Sequence, residues 1–278
     1  MRKKLRGVFA GPGLFFISVF CWTWSFWIPA AASGVSVQTG LGRLLLVFGL
    51  LGPMLGGIGF TYFTRTREHW HDYWARVFDA GRIRPRWYAV IFLFAPVLFT
   101  IAVLLDLASG GSDAAAQIGS TLAAFQSAPS TIVPFLLVTL INGPIPEELG
   151  WRGYVLDQLQ ARWSPLTASI LLGGIWTIWH LPLFFFEGIK HNVGIQSLWF
   201  WLFVLQTIPV TIIFTWIFNN TSRSTLGAIL FHFMANLTAE LASKTDRTNL
   251  YATGLWILAA IAVVSFRGAG KWRRATEG

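Results

Sequence analysis

Glu147, Glu148 and Arg152 stand together in the run Glu-Glu-Leu-Gly-Trp-Arg, inside a stretch of otherwise mostly apolar residues. Further along, Trp176 precedes His180 and His232 precedes Asn236, each pair four residues apart and again in apolar surroundings. Ionisable side chains are costly in hydrocarbon and usually face a bundle interior or a water-filled cavity. Carboxylates, imidazoles and an amide carried on separate segments are therefore expected to share one buried polar site. Such a set can activate water. A carboxylate or imidazole takes its proton, and N–H donors stabilise the charge that develops on an attacked carbonyl oxygen.

Spacing distributes the roles. On a helix Glu148 faces Arg152 at i+4, so a salt bridge can neutralise both, while Glu147 lies about 100° further round and is less completely paired. One glutamate can orient while the other reacts. The preceding Asn142-Gly143-Pro144-Ile145-Pro146 should interrupt the helix at its two prolines. Irregular backbone at membrane depth is tolerated where it lines a cavity, and both glutamates then fall in the first turn after the break, where a helix favours negative charge. Taken alone, the cluster also reads as a buried ion pair at a kink. Trp163-Ser164-Pro165 marks a turn, with Glu147 sixteen residues before Trp163 and His180 seventeen after it, so both side chains should reach similar depth in an antiparallel hairpin. Trp176 shares the face of His180 and can wall the pocket or donate from its indole, packing being its commoner role. His232 and Asn236 share a helix face. They can bind a carbonyl oxygen or complete a metal site, although a single His–Asn pair in a membrane helix is more often interhelical glue.

A zinc site of Glu147, His180 and His232 with an open fourth position is one arrangement of these ligands. No His-Glu-x-x-His pair is present, and binding Glu147 to zinc would leave only Glu148, already held by Arg152, as a carboxylate base. The favoured expectation is a glutamate and a histidine activating water with no cofactor, with zinc or another divalent metal as the alternative.

The elements that position these groups must be membrane helices. Of 278 residues, 54% are apolar and 12% charged, and the mean hydropathy is +0.58, whereas soluble domains carry roughly 25% charged residues. Spans of about 20 apolar residues are expected near 8–32, 41–63, 87–108, 130–146 continuing into 147–161, 165–187, 195–218, 224–241 and 249–266. The fold class is thus all-α, a polytopic bundle of about eight transmembrane helices. Residues 1–278 read as one integral membrane domain with the motif-bearing core at about 130–241. Segment 113–127 is too short and polar to span and reads as a surface helix or loop. The first span is too long for a cleavable signal and is followed at once by others. A single cysteine, Cys21, excludes an intrachain disulfide and a cysteine-based zinc site.

The formal charge of +9 falls in alternate loops. Arg2, Lys3, Lys4, Arg6, the arginines of 65–86, Arg152, Arg162, Arg223, Arg267, Lys271, Arg273 and Arg274 share one side, against Arg43, Lys190, Lys244 and Arg247 on the other. The positive-inside rule then places both termini in the cytoplasm. The basic excess is topological, with the lipid bilayer as partner, and no nucleic acid is implied. Asp106, Glu187 and Glu240 near span ends are expected to be solvated. His69 and His71 should lie in an interfacial segment anchored by Trp70 and Trp74, and His191 in a loop.

The three motifs together resemble those of the CAAX prenyl endopeptidase and bacteriocin-processing family of intramembrane proteases: Glu-Glu-x-x-x-Arg, Phe-x-x-x-His and His-x-x-x-Asn. The first is intact at Glu147, Glu148 and Arg152 and the third at His232 and Asn236; the second keeps His180 but has Trp176 in place of the usual Phe. The resemblance implies a site in a cavity between the motif-bearing helices of an eight-helix bundle. It implies that Glu147, helped by His180, activates water, that His232 and Asn236 stabilise the oxyanion, and that Glu148 and Arg152 hold the architecture. The prenyl endopeptidase branch of that family implies catalysis without metal. The implied substrate is a membrane-associated or lipidated peptide or protein, cleaved in a bacterial or archaeal cell membrane. A non-catalytic immunity-type peptide-binding protein is the alternative within the resemblance. A transporter is the alternative outside it, opposed by the lack of an inverted repeat or second broken helix.

Overall fold

The computed structural model describes residues 11–189, 191–242 and 245–267. Lys190, Lys244 and the terminal basic residues Arg2, Lys3, Lys4, Arg6, Lys271, Arg273 and Arg274, which enter the charge-based topology, lie outside the described residues, as does the start of the first expected span.

The described chain is helical, with no strand. Its main elements are α1 (Pro12–Ser33), α2 (Gly40–Leu50), α3 (Gly52–Thr64), α4 (Arg67–Phe78), α5 (Pro85–Ala108), α6 (Asp113–Ser127), α7 (Ile132–Ile141), α8 (Pro144–Gly150), α9 (Leu156–Gln160), α10 (Pro165–Trp179), α11 (Leu198–Asn220), α12 (Thr225–Ala242) and α13 (Asp246–Arg267). Among the described residues, eight helical segments are long and apolar enough to cross a membrane, with α2–α3 forming one and Pro129–Gln160 another. These match the eight expected spans. Segment 113–127 is the short helix α6, mostly exposed.

Local sequence explains where the helices start. Proline occupies the first turn of α1, α3, α5, α8 and α10, where its missing N–H costs nothing. The hydroxyls of Thr39, Thr66, Ser164 and Ser197 accept from the backbone N–H groups of Gly42, His69, Thr167 and Phe200, satisfying otherwise orphaned donors. Outward faces carry exposed Ile17, Leu44, Phe63, Leu93, Leu137 and Leu258, while Trp27, Trp151 and Trp179 are fully buried. The rings of Trp27 and Trp179 meet at 4.7 Å and those of Trp151 and Trp179 at 5.8 Å, wedging α1, α10 and the segment after α8 together.

The break in the fourth span falls at Asn142–Gly143, just ahead of the prolines expected to cause it. Gly143 adopts φ 138°, ψ −75°, a conformation open in practice only to glycine, and Pro144 then opens α8 at a position that tolerates it. A second irregularity was not legible in the spacing: Trp151–Val155 is a π-helical segment rather than continued α-helix, a feature that often accompanies functional sites. Its supports come from elsewhere in the chain. A side chain at Gly57 would overlap the Leu149 carbonyl, and one at Gly150 would overlap Pro53, so the two glycines let the α3 and α8 backbones touch. The Tyr73 hydroxyl donates to the Leu149 carbonyl at 2.9 Å, and Arg76 Nη2 donates to the Gly153 carbonyl at 2.8 Å. Burial pushes the Tyr73 hydroxyl up from its ordinary pKa, which keeps it a donor. The segment that holds His69 and His71 forms the helix α4, and its Tyr73 and Arg76 turn inward.

Arg76, Arg82 and Arg223 converge on Asp72 and Asp157. Arg76 reaches Asp157 at 2.8 Å and Asp72 at 3.1 Å, Arg82 reaches Asp72 at 2.9 Å, and Arg223 reaches Asp157 at 2.5 Å. This joins α4, α9 and the connections after α4 and α11 at one end of the bundle, as alternate loops require. Two expectations need correction. Arg152 is fully buried and belongs to the interior, not to this basic end. Asp106 is not solvated: it is 1% exposed, paired with Arg247 at 3.1 Å and accepting from Thr248 at 3.1 Å. The expectation assumed that a span end faces water, whereas the close packing of α5 and α13 covers this one.

Candidate active site

A cavity of about 310 Å³ opens inside the bundle, lined among others by Asn142, Glu147, Trp176, His180, His232 and Asn236. It lies at the lower end of the size range of ligand clefts. Three helices bring the polar groups there: α8 carries Glu147, Glu148 and, in the π segment that follows, Arg152; α10 carries Trp176 and ends at His180; α12 carries His232 and Asn236.

Glu148 is the structural centre. Its Oε1 accepts from Arg152 Nη1 at 2.9 Å, as the spacing predicts, and faces His232 Nδ1 at 2.8 Å. All three side chains are buried. Because a carboxylate only accepts, His232 carries a proton on Nδ1 and is fixed in orientation with Nε2 toward the cavity. Nε and Nη2 of Arg152 make no hydrogen bond, but its guanidinium carbon sits 4.0 Å from the Phe214 ring centroid and 5.4 Å from that of Trp176, and such aromatic faces stabilise a cation.

Glu147 is held differently. Its Oε2 accepts from the indole N–H of Trp176 at 2.5 Å, so Trp176 does more than pack. Oε1 points to a place defined by Gly143: a side-chain carbon there would stand 3.4 Å from Glu147 Oε1, 3.3 Å from Asn236 Nδ2 and 3.9 Å from His232 Nε2. A carboxylate oxygen, an amide nitrogen and an imidazole nitrogen thus converge beside the bare backbone of Gly143. Replacing Trp176 with Phe keeps the ring and removes the donor. A net loss of about 0.5–1.5 kcal/mol per hydrogen bond gives an expected kcat up to roughly tenfold lower, with KM little changed, in a steady-state cleavage assay. The Phe usual at this position in the resembled family bounds the effect.

His180 caps α10, where the helix tightens into a 3-10 turn over Leu181–Phe185, rather than lying inside a longer helix. Its Nδ1 donates to the Trp176 carbonyl at 2.8 Å, which leaves Nε2 as an acceptor. The Trp176 ring lies edge-on to both imidazoles, 5.5 Å from His180 and 5.7 Å from His232. Every site residue expected from the sequence therefore lies in or directly behind one cavity. Among the described residues, no group of three His, Cys, Asp or Glu side chains is gathered closely enough to hold a metal ion.

His191 lies in a loop, as expected, and it also lines the cavity, its ring 6.2 Å from that of His180 and 4.8 Å from that of Trp199. Its connecting segment has no helical period to predict where a side chain points.

Acid, imidazole and amide groups are thus held together in a cavity within apolar, membrane-length helices. Residues 129–238 match the family model described as type II CAAX prenyl endopeptidase Rce1-like. Over 258 residues the chain is 34% identical to CAAX prenyl protease 2 of Methanococcus maripaludis, covering 92% of this chain and 93% of that protein. The chain belongs to the type II CAAX prenyl endopeptidase family, and is a CAAX prenyl protease-like intramembrane endopeptidase.

Proposed function

We propose that Glu147 is the general base that activates water, with His180 assisting the proton transfers and His232 and Asn236 donating to the oxyanion. The observation that carries this reading is the convergence of Glu147 Oε1, His232 Nε2 and Asn236 Nδ2 beside the backbone of Gly143. A peptide carbonyl entering the cavity beside Gly143 has its oxygen beside the two nitrogens and its carbon within reach of a water held by Glu147. Water oxygen bonds to the carbonyl carbon as Oε1 takes a proton. The C=O electron pair moves to oxygen. Collapse of the tetrahedral intermediate breaks the C–N bond, and the proton held by Glu147 or relayed by His180 goes to the leaving amine. Doubly protonated His232 donates from Nδ1 to Glu148 and from Nε2 to the oxyanion. In that state Glu148 and the oxyanion are balanced by Arg152 and the imidazolium.

The substrate is a membrane-associated or lipidated peptide, in keeping with the apolar helices that enclose the cavity and with the archaeal relative's name. In this reading the reaction uses no metal, because a zinc ion held by Glu147, His180 and His232 would occupy the carboxylate that serves as base and leave only Glu148, already held by Arg152. Purified protein in bilayers should cut lipid-anchored peptides at one bond, read by mass spectrometry, at the same rate before and after exhaustive chelation. Stoichiometric zinc lost together with activity, both recovered when zinc is restored, would overturn the metal-free mechanism.

A further inference from the structure

The helix α11 carries three amide side chains, and two of them are used inside the protein. Gln160 Nε2 donates to Asn219 Oδ1 at 3.1 Å while Asn219 Nδ2 donates to Gln160 Oε1 at 2.8 Å, and Asn220 Nδ2 donates to the Trp216 carbonyl at 2.8 Å. Such pairing is the usual role of an amide in a membrane helix. Gln206 differs. It makes no side-chain hydrogen bond among the described residues, although it stands half-buried toward the middle of a 23-residue apolar helix, where an amide without a partner is costly. It lines the cavity.

Phe203, Gln206, Thr207 and Val210 line the cavity at the spacing of one helix face. The Phe203 ring packs edge-on to His180 at 5.2 Å, and that of Phe214, about two turns beyond Gln206, packs edge-on to His232 at 5.4 Å. Gln206 therefore lies along α11 between the levels of the two site histidines. The Thr207 hydroxyl donates to the Phe203 carbonyl at 2.6 Å, so the Gln206 amide is the polar group this wall can offer a ligand. The other amides of the lining are Asn142, which is exposed, and Asn236, already placed at the oxyanion.

We propose that Gln206 binds the main chain of the peptide substrate, pairing its carboxamide with one peptide group near the scissile bond as Asn219 pairs with Gln160. A peptide group entering an apolar cavity gives up its hydrogen bonds to water, and a carboxamide returns both a donor and an acceptor whatever side chains the peptide carries. The contact rests on a peptide occupying the cavity, as the hydrolytic reading requires, and not on Glu147 acting as base. Formed alike in the ground and transition states, it acts on KM rather than kcat.

Gln206→Met keeps the length of the side chain and removes both polar atoms. In bilayer nanodiscs, the Kd of a fluorescent lipid-anchored peptide for the Glu147→Gln protein should rise about three- to tenfold when Gln206→Met is added, the range expected for a lost hydrogen bond. Gln206→Asn, which withdraws the amide by one methylene, should give a smaller rise. Peptides with successive amides replaced by esters then locate the contact: one ester away from the scissile bond should weaken binding with Gln206 present and have no further effect in the Gln206→Met variant, since the two changes remove the same interaction. An unchanged Kd for Gln206→Met, or ester penalties that are the same with and without Gln206→Met at every position, would overturn the proposal. If the coupling is found but wild type does not cleave the peptide, the hydrolytic reading fails and the Gln206 contact stands.

Discussion

Glu148→Ala is expected to destabilise the protein by about 3–5 kcal/mol, the typical cost of breaking a buried ion pair from one side, and to abolish activity. The carboxylate holds Arg152 at 2.9 Å and His232 at 2.8 Å through a single oxygen, with no solvent near it. Its loss strands a guanidinium whose other nitrogens already lack hydrogen bonds and frees the imidazole to rotate away from the cavity. Thermal unfolding in detergent should show a clear drop for Glu148→Ala and a smaller one for Glu148→Gln, whose amide oxygen still accepts. A Glu148→Ala protein as stable as wild type would refute the central place given to this side chain.

Glu147→Gln should do the reverse. Glutamine keeps the shape and can still accept the Trp176 N–H, so folded yield should survive. The lost base should cost roughly 10²–10⁴ in rate, the usual contribution of general acid–base catalysis. Asn236 Nδ2 and His232 Nε2 would remain in place, so substrate affinity should change little. If the Gln variant at 147 were the more damaged of the two in unfolding, the division of roles between the adjacent glutamates would be wrong.

Length and hydropathy sufficed for the eight spans, because a bilayer sets one strict requirement on every helix that crosses it. The Glu148–Arg152 pair was legible for an equally local reason, its i,i+4 spacing. The Glu148–His232 bond joins residues 84 apart, and only the packing of α8 against α12 creates it. Likewise the π segment, the capping position of His180 and the inward turn of Tyr73 depend on contacts with neighbouring helices rather than on propensity. Sequence position alone places Arg152 with the basic loop residues and Asp106 at a solvated span end, whereas tertiary packing buries both. The role of Gly143 followed the same rule. Its neighbours Pro144 and Pro146 announced a break, but that Glu147, His232 and Asn236 converge beside its bare backbone is visible only in three dimensions.

The central claim, water attack promoted by Glu147, is tested most directly by cleavage of a lipid-anchored peptide in H₂¹⁸O by equal amounts of folded wild type and Glu147→Gln, with products weighed by mass spectrometry. Wild type should yield an amine fragment and a carboxylate fragment carrying one ¹⁸O, and the Gln variant should form both at least about a hundredfold more slowly. Cleavage by Glu147→Gln at the wild-type rate, with the same isotope incorporation, would contradict the account.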